Sequence, residues 1–455
     1  METLSQKLGA YASRLTFEEL PSEVVHKAKA LILDTIGCGF GGYDSEPARI
    51  ARDIAATVTS VRPATILCTG QKTSPELAAF ANDVMMRYLD YNDGYITHGS
   101  GHPSDSIAAL LAAGEVTHAN GRELIVGTVI AYEVFCRICD AWDNKKIGID
   151  HATVGAIASA AGAARLLGLT REQIVEAINL TVAGNVALNQ TRAGRVSAWK
   201  ACGYANANRN ALFACDLAAR GMTGPDEVFE GRDGFFNVVS RGTFELPPLG
   251  GAGRPFGIMQ AHIKQFPLGN FSQTVVTAAL QARSEDLDVA AVEEIHIRTG
   301  TKALKVMADG PDKWRPPNRE TADHSIPFLV SAALLYGWVD AATYSPERLF
   351  DPRLRALIEK VEVIYDKELD KMQPQSVPCR LEVRLKNGAR KTSRVDHPLG
   401  HIRNPASDQD IERKFKGLNG GLVSARRASR LLKLCWKLEE LDDVSEIVSL
   451  IRIEQ

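Results

Sequence analysis

Between Arg87 and Ile107 the chain reads RYLDYNDGYITHGSGHPSDSI, which crowds Asp90, Asp93, His98, His102 and Asp105 into one short stretch. Imidazoles titrate near neutral pH, and carboxylates beside them can orient or share a proton, so this mixture suits general acid–base chemistry. Gly94, Gly99, Gly101 and Pro103 interrupt it, so it forms no single helix. The competing reading is a solvated loop that happens to hold histidines. Further polar outliers weigh against that. His151 opens an apolar, small-residue run, HATVGAIASAAGAARLLGL, where a helix N-terminus would disfavour its charged form. Lys200 lies among small residues in SAWKACGYANANRNALFA, with Arg209 further along the same segment. Lys264 and His324 follow. Taken singly, each has an ordinary capping or surface role available.

Taken together, carboxylates, imidazoles and amines suit proton abstraction beside a carboxylate. The dianion so formed is costly, and needs cations facing the acid groups and a base facing the C–H. No other chemistry is supported by motif. There is no G-x-G-x-x-G after a strand, no G-x-x-x-x-G-K-[ST], no H-E-x-x-H and no G-x-S-x-G. His98 and His102 have the i, i+4 spacing of a metal pair, but the glycines between them argue against an aligning helix. We therefore assign no metal ligands.

The elements that must position these residues divide into two sets. Up to about residue 264 the pattern is almost wholly helical. Ser22 can cap a helix with Val24, Val25, Ala28, Leu31, Ile32 and Ile36 at helical spacing. Ser74–Leu89 delivers the acidic stretch at its C-terminal end. Helices follow from Ser104 to about Trp142, broken at Asn120-Gly121, then from His151, and from Thr170 with a capping box to Gln173. Ala64–Thr69 is a short strand candidate. Beyond residue 265 the pattern changes. Val292–Gly300 alternates as a strand, Arg380–Arg394 reads as a hairpin about Asn387-Gly388, and helices over Thr321–Tyr336 and Pro352–Val361 lie between. From Ser407 the chain is helical again. The expectation is a mainly α protein. An all-helical domain formed by 1–264 and 404–455 flanks a second, smaller α+β domain, 265–403.

With 455 residues, 45% hydrophobic and 24% charged, the chain is an ordinary globular composition above the size of one core. A net charge of −2 without a basic block argues against nucleic-acid binding. No run of eighteen apolar residues occurs, so no membrane span is expected. The N-terminus lacks signal or transit character, and the eight cysteines sit mostly in apolar context, which together lead us to expect a cytoplasmic protein. Cys136 and Cys139 form an isolated C-x-x-C that we read as core packing.

Several blocks in order resemble the MmgE/PrpD family. These are LILDTIGCGFGG (31–42), LDYNDGY (89–95) with GHPSDSI (101–107), and SAWKACGYANANRNALFA (197–214). GMTGPDEVFEGRDGF (221–235), KQFPLGNFSQT (264–274), ETADHSIPFLV (320–330) and HPLGHIRNP (397–405) continue the match. The resemblance implies a helical domain with an inserted lid, a homodimer, and a cofactor-independent lyase acting on a small polycarboxylate such as 2-methylcitrate. Epimerase, isomerase and decarboxylase chemistries also occur in the family. It implies catalytic Asp93, His102, His151 and Lys200. Lys264, Gln273, His324 and Arg209 are then expected to bind substrate, with Lys200 and Lys264 holding carboxylates. Asp90 and Asp105 are expected to brace the loop, and His98 to be peripheral. Departures from family patterns fall at Phe271, Phe328 and Gly203. Gln273 favours the dehydratase pattern over the decarboxylase one.

Overall fold

The computed structural model describes residues 2–283 and 287–453. The protein is mainly α-helical, with a smaller α+β part. Among the described residues no helix is long and apolar enough to cross a membrane.

One hydrophobic core runs from Leu4 to Ile263 and resumes from Ile411 to Ile451. Helices α1 (Ser22–Gly42), α2 (Pro75–Tyr88), α3 (Ile107–Thr117), α4 (Gly121–Ala141), α5 (His151–Leu166) and α6 (Trp199–Ala219) build it. Helix α5 packs between α4 and α6, and α2 packs on α6. The small residues of α5 make that possible. An added Cβ at Gly155 would run into the Tyr204 ring of α6, and one at Gly162 would sit 2.7 Å from the Gly127 carbonyl of α4. Close backbone approach of this kind lets buried polar side chains on facing helices meet. Tyr204, for example, pairs its hydroxyl with Ser106 at 2.7 Å.

A second core spans Phe266 to Val395. Its sheet has strands β1 (Val292–Thr299), β2 (Val361–Tyr365), β3 (Cys379–Leu385) and β4 (Arg390–Val395), ordered β2-β1-β3-β4. β1 pairs with β2 in parallel, and the other two pairings are antiparallel. Cys379, Leu381 and Val383 point inward from β3, and helix α7 (Gln273–Ala282) covers that face.

Two expected helices differ. Thr321–Tyr336 is split into Arg319–Ala322 and Ile326–Tyr336. Ser325 restarts the second piece by accepting from Phe328 N, and Pro327 suits its first turn. Asp323 and His324 occupy the break. The helix from Pro352 ends at Ile358, and Val361 begins β2, a strand too short to stand out by alternation alone. The short strand at Ala64–Ile66 is present and pairs with Gln71–Thr73. The two crossings between the cores lie side by side, with Ile263 N donating to Gly400 O at 3.2 Å. Gly400 has φ +89°, and a Cβ there would strike the Ile263 carbonyl.

Candidate active site

Helix α2 ends by presenting a fully buried cation, Arg87, and then turns sharply. Asp90 adopts φ +51°, a left-handed conformation that Asp tolerates better than most residues. That turn puts its carboxylate at the centre of a buried charge cluster. Arg87 Nη1 lies 2.8 Å from Asp90 Oδ1, and Lys264 Nζ bonds the same oxygen and, at 2.8 Å, the Asp90 carbonyl. Lys200 Nζ lies 3.1 Å from Oδ2 and donates to both oxygens of Asp323 at 2.7 Å. His324 Nε2 is 3.6 Å from Asp90 Oδ2, while its Nδ1 pairs with Asp323 at 2.6 Å. Burial opposes ionisation of Asp90, but the cations Arg87, Lys264 and Lys200 outweigh it and hold the carboxyl well below its usual range. Lys264 is pushed down to about 8 by burial, against the pull of Asp90.

His102 is held by a different contact. Its Nδ1 lies 2.6 Å from the Asp93 carbonyl oxygen, which can only accept. The proton therefore sits on Nδ1, and Nε2 carries the free lone pair. Burial, then Arg87 and Lys264, push its pKa well below the ordinary value, so the ring is neutral. His151, the first residue of α5, meets His102 edge-on at 5.3 Å between ring centroids. Its Nδ1 is 3.5 Å from Asp150, and its Nε2 is 3.9 Å from Asp105 and 3.4 Å from Arg192. Burial and the charges of Arg192, Lys145 and Arg87 keep it neutral as well, although Asp150 pulls the other way. His324 is lowered to about 4 by burial and Lys200.

The roles expected of the loop carboxylates exchange places geometrically. Asp90 lies inside the cluster, whereas Asp93 points away from it. Asp93 Oδ1 accepts from the Ser104 hydroxyl at 2.5 Å and Oδ2 from Tyr132 at 2.8 Å, and only its backbone carbonyl touches His102. Burial raises Asp93 to about 6. Asp105 is likewise raised to about 7 by burial, with Asn92 as hydrogen-bond donor. His98 is exposed.

Above the cluster opens a cavity of about 140 Å³ between the two cores. Arg87, Asp90, His102 and His151 line it, with His324 from the lid, and so do Lys145, Arg192 and Lys305. This is smaller than the roughly 300–1,000 Å³ clefts that take drug-sized ligands, and fits a small molecule. Phe271 lines it too, beneath Lys145 Nζ at 5.7 Å, whereas Phe328 is stacked on Tyr344 inside the lid core. At Gly203 an added Cβ would meet open space.

Two expected substrate ligands are elsewhere. Arg209 is exposed and bonds Asn210 at 3.4 Å. Gln273 is buried, but its amide is spent on backbone: Oε1 accepts from Gln265 and Phe266, and Nε2 donates to Phe266 and Leu268. It ties down the segment after Lys264 and makes no side-chain contact with the cluster. Arg87, Lys145, Arg192, Lys305 and Asp323 are the polar residues that sequence reasoning did not single out. Asp90, Asp323 and His324 converge closely enough to suggest a cation site, but the Lys200 ammonium already bridges both carboxylates.

Fold and site together define a mainly helical protein with an acid–base set buried between its two hydrophobic cores. The MmgE/PrpD N-terminal domain matches residues 6–247 and the MmgE/PrpD C-terminal domain matches 266–438. The chain belongs to the MmgE/PrpD family. It is similar to human cis-aconitate decarboxylase, with 26% identity over 99% of this chain and 95% of that one. It is also similar to 2-methylcitrate dehydratase of Salmonella typhimurium, with 28% identity over 91% of this chain and 90% of that one. The Cupriavidus necator 2-methylcitrate dehydratase is 29% identical over 83% and 82%.

Proposed function

We propose that the protein is a lyase that dehydrates or hydrates a small tricarboxylate of the 2-methylcitrate type by proton transfer alone. The observation that carries this reading is His102, a neutral imidazole whose Nδ1 is fixed by the Asp93 carbonyl so that Nε2 is left as a base at the cavity wall. In the dehydrating direction His102 Nε2 removes the proton from a carbon beside a carboxylate. The C–H electron pair becomes the new C=C bond, the C–O bond breaks, and the hydroxyl leaves as water with a proton from a second acid. His151 stands at the right place to be that acid. Burial and the cations around it keep it neutral. A polyanion entering beside it would raise its pKa, so the substrate charges its own acid.

Decarboxylation of a related acid is the second reading, favoured by the similarity to cis-aconitate decarboxylase over nearly the whole chain. There the C–C bond breaks, CO₂ leaves, and an imidazole returns a proton to carbon. Epimerisation would need the proton transfers without a leaving group. Incubation with 2-methylcitrate, citrate and cis-aconitate, followed by proton NMR in deuterium oxide and by CO₂ release, separates the three. Conversion of none of them ends the lyase reading. His102→Ala is expected to lower turnover by at least about a hundredfold, the range for loss of a general base. It should cost only about 1 kcal/mol in stability, because one buried carbonyl loses its donor. Unchanged turnover would remove His102 from the chemistry.

A further inference from the structure

The cations around the cavity fall into two kinds, and their difference assigns the substrate's contacts. Lys200, Lys264 and Arg87 are buried and already matched to Asp90, Asp323 and Asp105. Their charge is spent inside the protein. A substrate carboxylate drawing on them would have to displace Asp90 or Asp323. The outer cations are different. Among the described residues no carboxylate lies within ion-pair distance of Lys145 or Lys305, and both line the cavity. Arg192 donates Nε to Asp150 at 2.6 Å, which fixes the guanidinium beside His151. Its Nη1 is buried and makes no hydrogen bond; the Arg87 guanidinium also makes none, but Arg87 has two carboxylates, Asp90 and Asp105, in ion-pair reach, whereas Arg192 has Asp150 on its Nε side. A buried guanidinium N–H without an acceptor is costly, so a site that leaves one open is suited to a ligand that closes it.

We infer that Lys145, Arg192 and Lys305 form the carboxylate clamp, and that the ligand is a polycarboxylate gripped by the body through the first two and by the lid through the third. This rests on the lyase reading only for what happens after binding. The placement follows from the elements. Lys145 lies on the turn before α5 and Arg192 on the turn before α6, so both belong to the helical body. Lys305 lies on the lid helix Thr301–Met307. The neighbouring Lys302 bonds the Thr97 carbonyl of the catalytic loop at 2.7 Å, so that helix already sits on the site. Asp309, also at the cavity, faces Lys313 at 3.8 Å and offsets part of the rim's positive charge. An acid with carboxylates at both ends then bridges body and lid, and its middle carbons lie under His102. One carboxylate alone satisfies only one side of the clamp. A fork-shaped guanidinium also prefers a carboxylate presented edge-on, which a lysine at the same place does not demand.

The test uses the full-length protein and propane-1,2,3-tricarboxylate, which has no hydroxyl to eliminate. Binding is read by calorimetry, with glutarate and acetate as shorter-handed controls. Arg192→Gln and Lys145→Gln should each weaken tricarboxylate binding roughly tenfold to a hundredfold, the range for a lost charge-assisted bond. Lys305→Gln should weaken it several-fold and narrow the gap between tricarboxylate and glutarate. Affinity should fall steeply with added salt. Arg49→Gln, a surface change at the far pair with Asp53, should bind like the wild type. If Arg192→Gln misfolds because Asp150 loses its partner, Lys145→Gln and Lys305→Gln still decide, since neither breaks an ion pair. Tricarboxylate binding that depends on these residues, with no acid converted, supports the clamp and sinks the lyase reading. Turnover with wild-type KM in Lys145→Gln and Lys305→Gln overturns the clamp and keeps the lyase. No measurable tricarboxylate binding by the wild type overturns it as well.

Discussion

The inner charge cluster and the outer rim of the cavity hold similar residues and do opposite things. Inside, Arg87, Lys200 and Lys264 meet Asp90 and Asp323 in full burial, and every charge has a partner. At the rim, among the described residues, Lys145 and Lys305 have no carboxylate in ion-pair reach, and Arg192 is held by Asp150 through Nε with its Nη1 unbonded. Electrostatics gives the two groups different meanings. Buried paired charges are expensive to break, because removing one partner strands the other in low dielectric. Unpaired charges at a cavity mouth contribute little to folding and keep their field available to a ligand. Lys200 and Lys264, expected to bind carboxylates directly, are ion-paired to Asp90 and, for Lys200, to Asp323 as well. On the proposed reading the carboxylate contacts pass to Lys145 and Arg192 in turns and to Lys305 on a short lid helix.

The largest effect should come from removing the hub. Asp90→Asn keeps a residue that tolerates the left-handed turn, so backbone strain is not added. It leaves three cations facing one another, and should cost about 3–5 kcal/mol in urea unfolding. Turnover should be lost with it. If Asp90→Asn unfolds at the same urea concentration as the wild type, the inner cluster is not the braced region described here.

Acid should separate the groups of the inner region from one another. His324 is lowered to about 4 from its ordinary value, so between those two values the unfolded chain binds more protons than the folded one. Stability contributed by the neutral ring is therefore full above about pH 6.5 and is lost as pH falls toward 4. This amounts to roughly 3–4 kcal/mol by the linkage relation. Asp105, raised to about 7, has the opposite sign: its protonated form favours the fold, and that contribution fades as pH rises from the ordinary carboxyl value to about 7. Chemical denaturation across pH 4–7 should show a flatter acid limb in His324→Asn and a steeper one in Asp105→Asn. Parallel curves for all three proteins would remove both assignments.

At the rim the expectation reverses. Lys145→Gln takes away a half-buried ammonium that burial and Arg192 already push down to about 8. Stability should stay within about 0.5 kcal/mol or rise slightly, since no partner is stranded and a repulsion is relieved. A loss of several kcal/mol would mean that Lys145 belongs with the braced cations, and the contrast between the two regions would fail.

Much of the fold was readable because helical spacing, caps and the Asn387-Gly388 turn are local signals. The break at Asp323-His324 was written in Ser325 and Pro327, yet apolar residues on both sides masked it. The site was readable as a neighbourhood: His102, His151, Lys200, Lys264 and His324 converge from distant parts of the chain. Its internal order was not. Whether Asp90 or Asp93 faces the cluster depends on one backbone angle, φ +51° at Asp90, which residue type permits but does not dictate. Arg87 sits in an ordinary last helical turn, and Lys145 and Arg192 lie in turns without a motif. Which of these charges finds a partner is a property of packing across the chain, and no local pattern records it.

Arg209 is the exception that sequence geometry alone could have placed. It lies nine residues after Lys200 on one unbroken helix, α6. At 3.6 residues per turn that is two and a half turns, so the two side chains leave opposite faces. Lys200 is buried under the lid and Arg209 is exposed, as that arithmetic requires. Arg209→Ala should therefore leave stability within about 0.5 kcal/mol and tricarboxylate affinity unchanged, the smallest effect of the set. Calorimetry beside Arg192→Gln makes the comparison direct. A tenfold weakening by Arg209→Ala would mean that the positive field reaching the ligand comes from the whole surface of α6, and that the rim has no special claim on it.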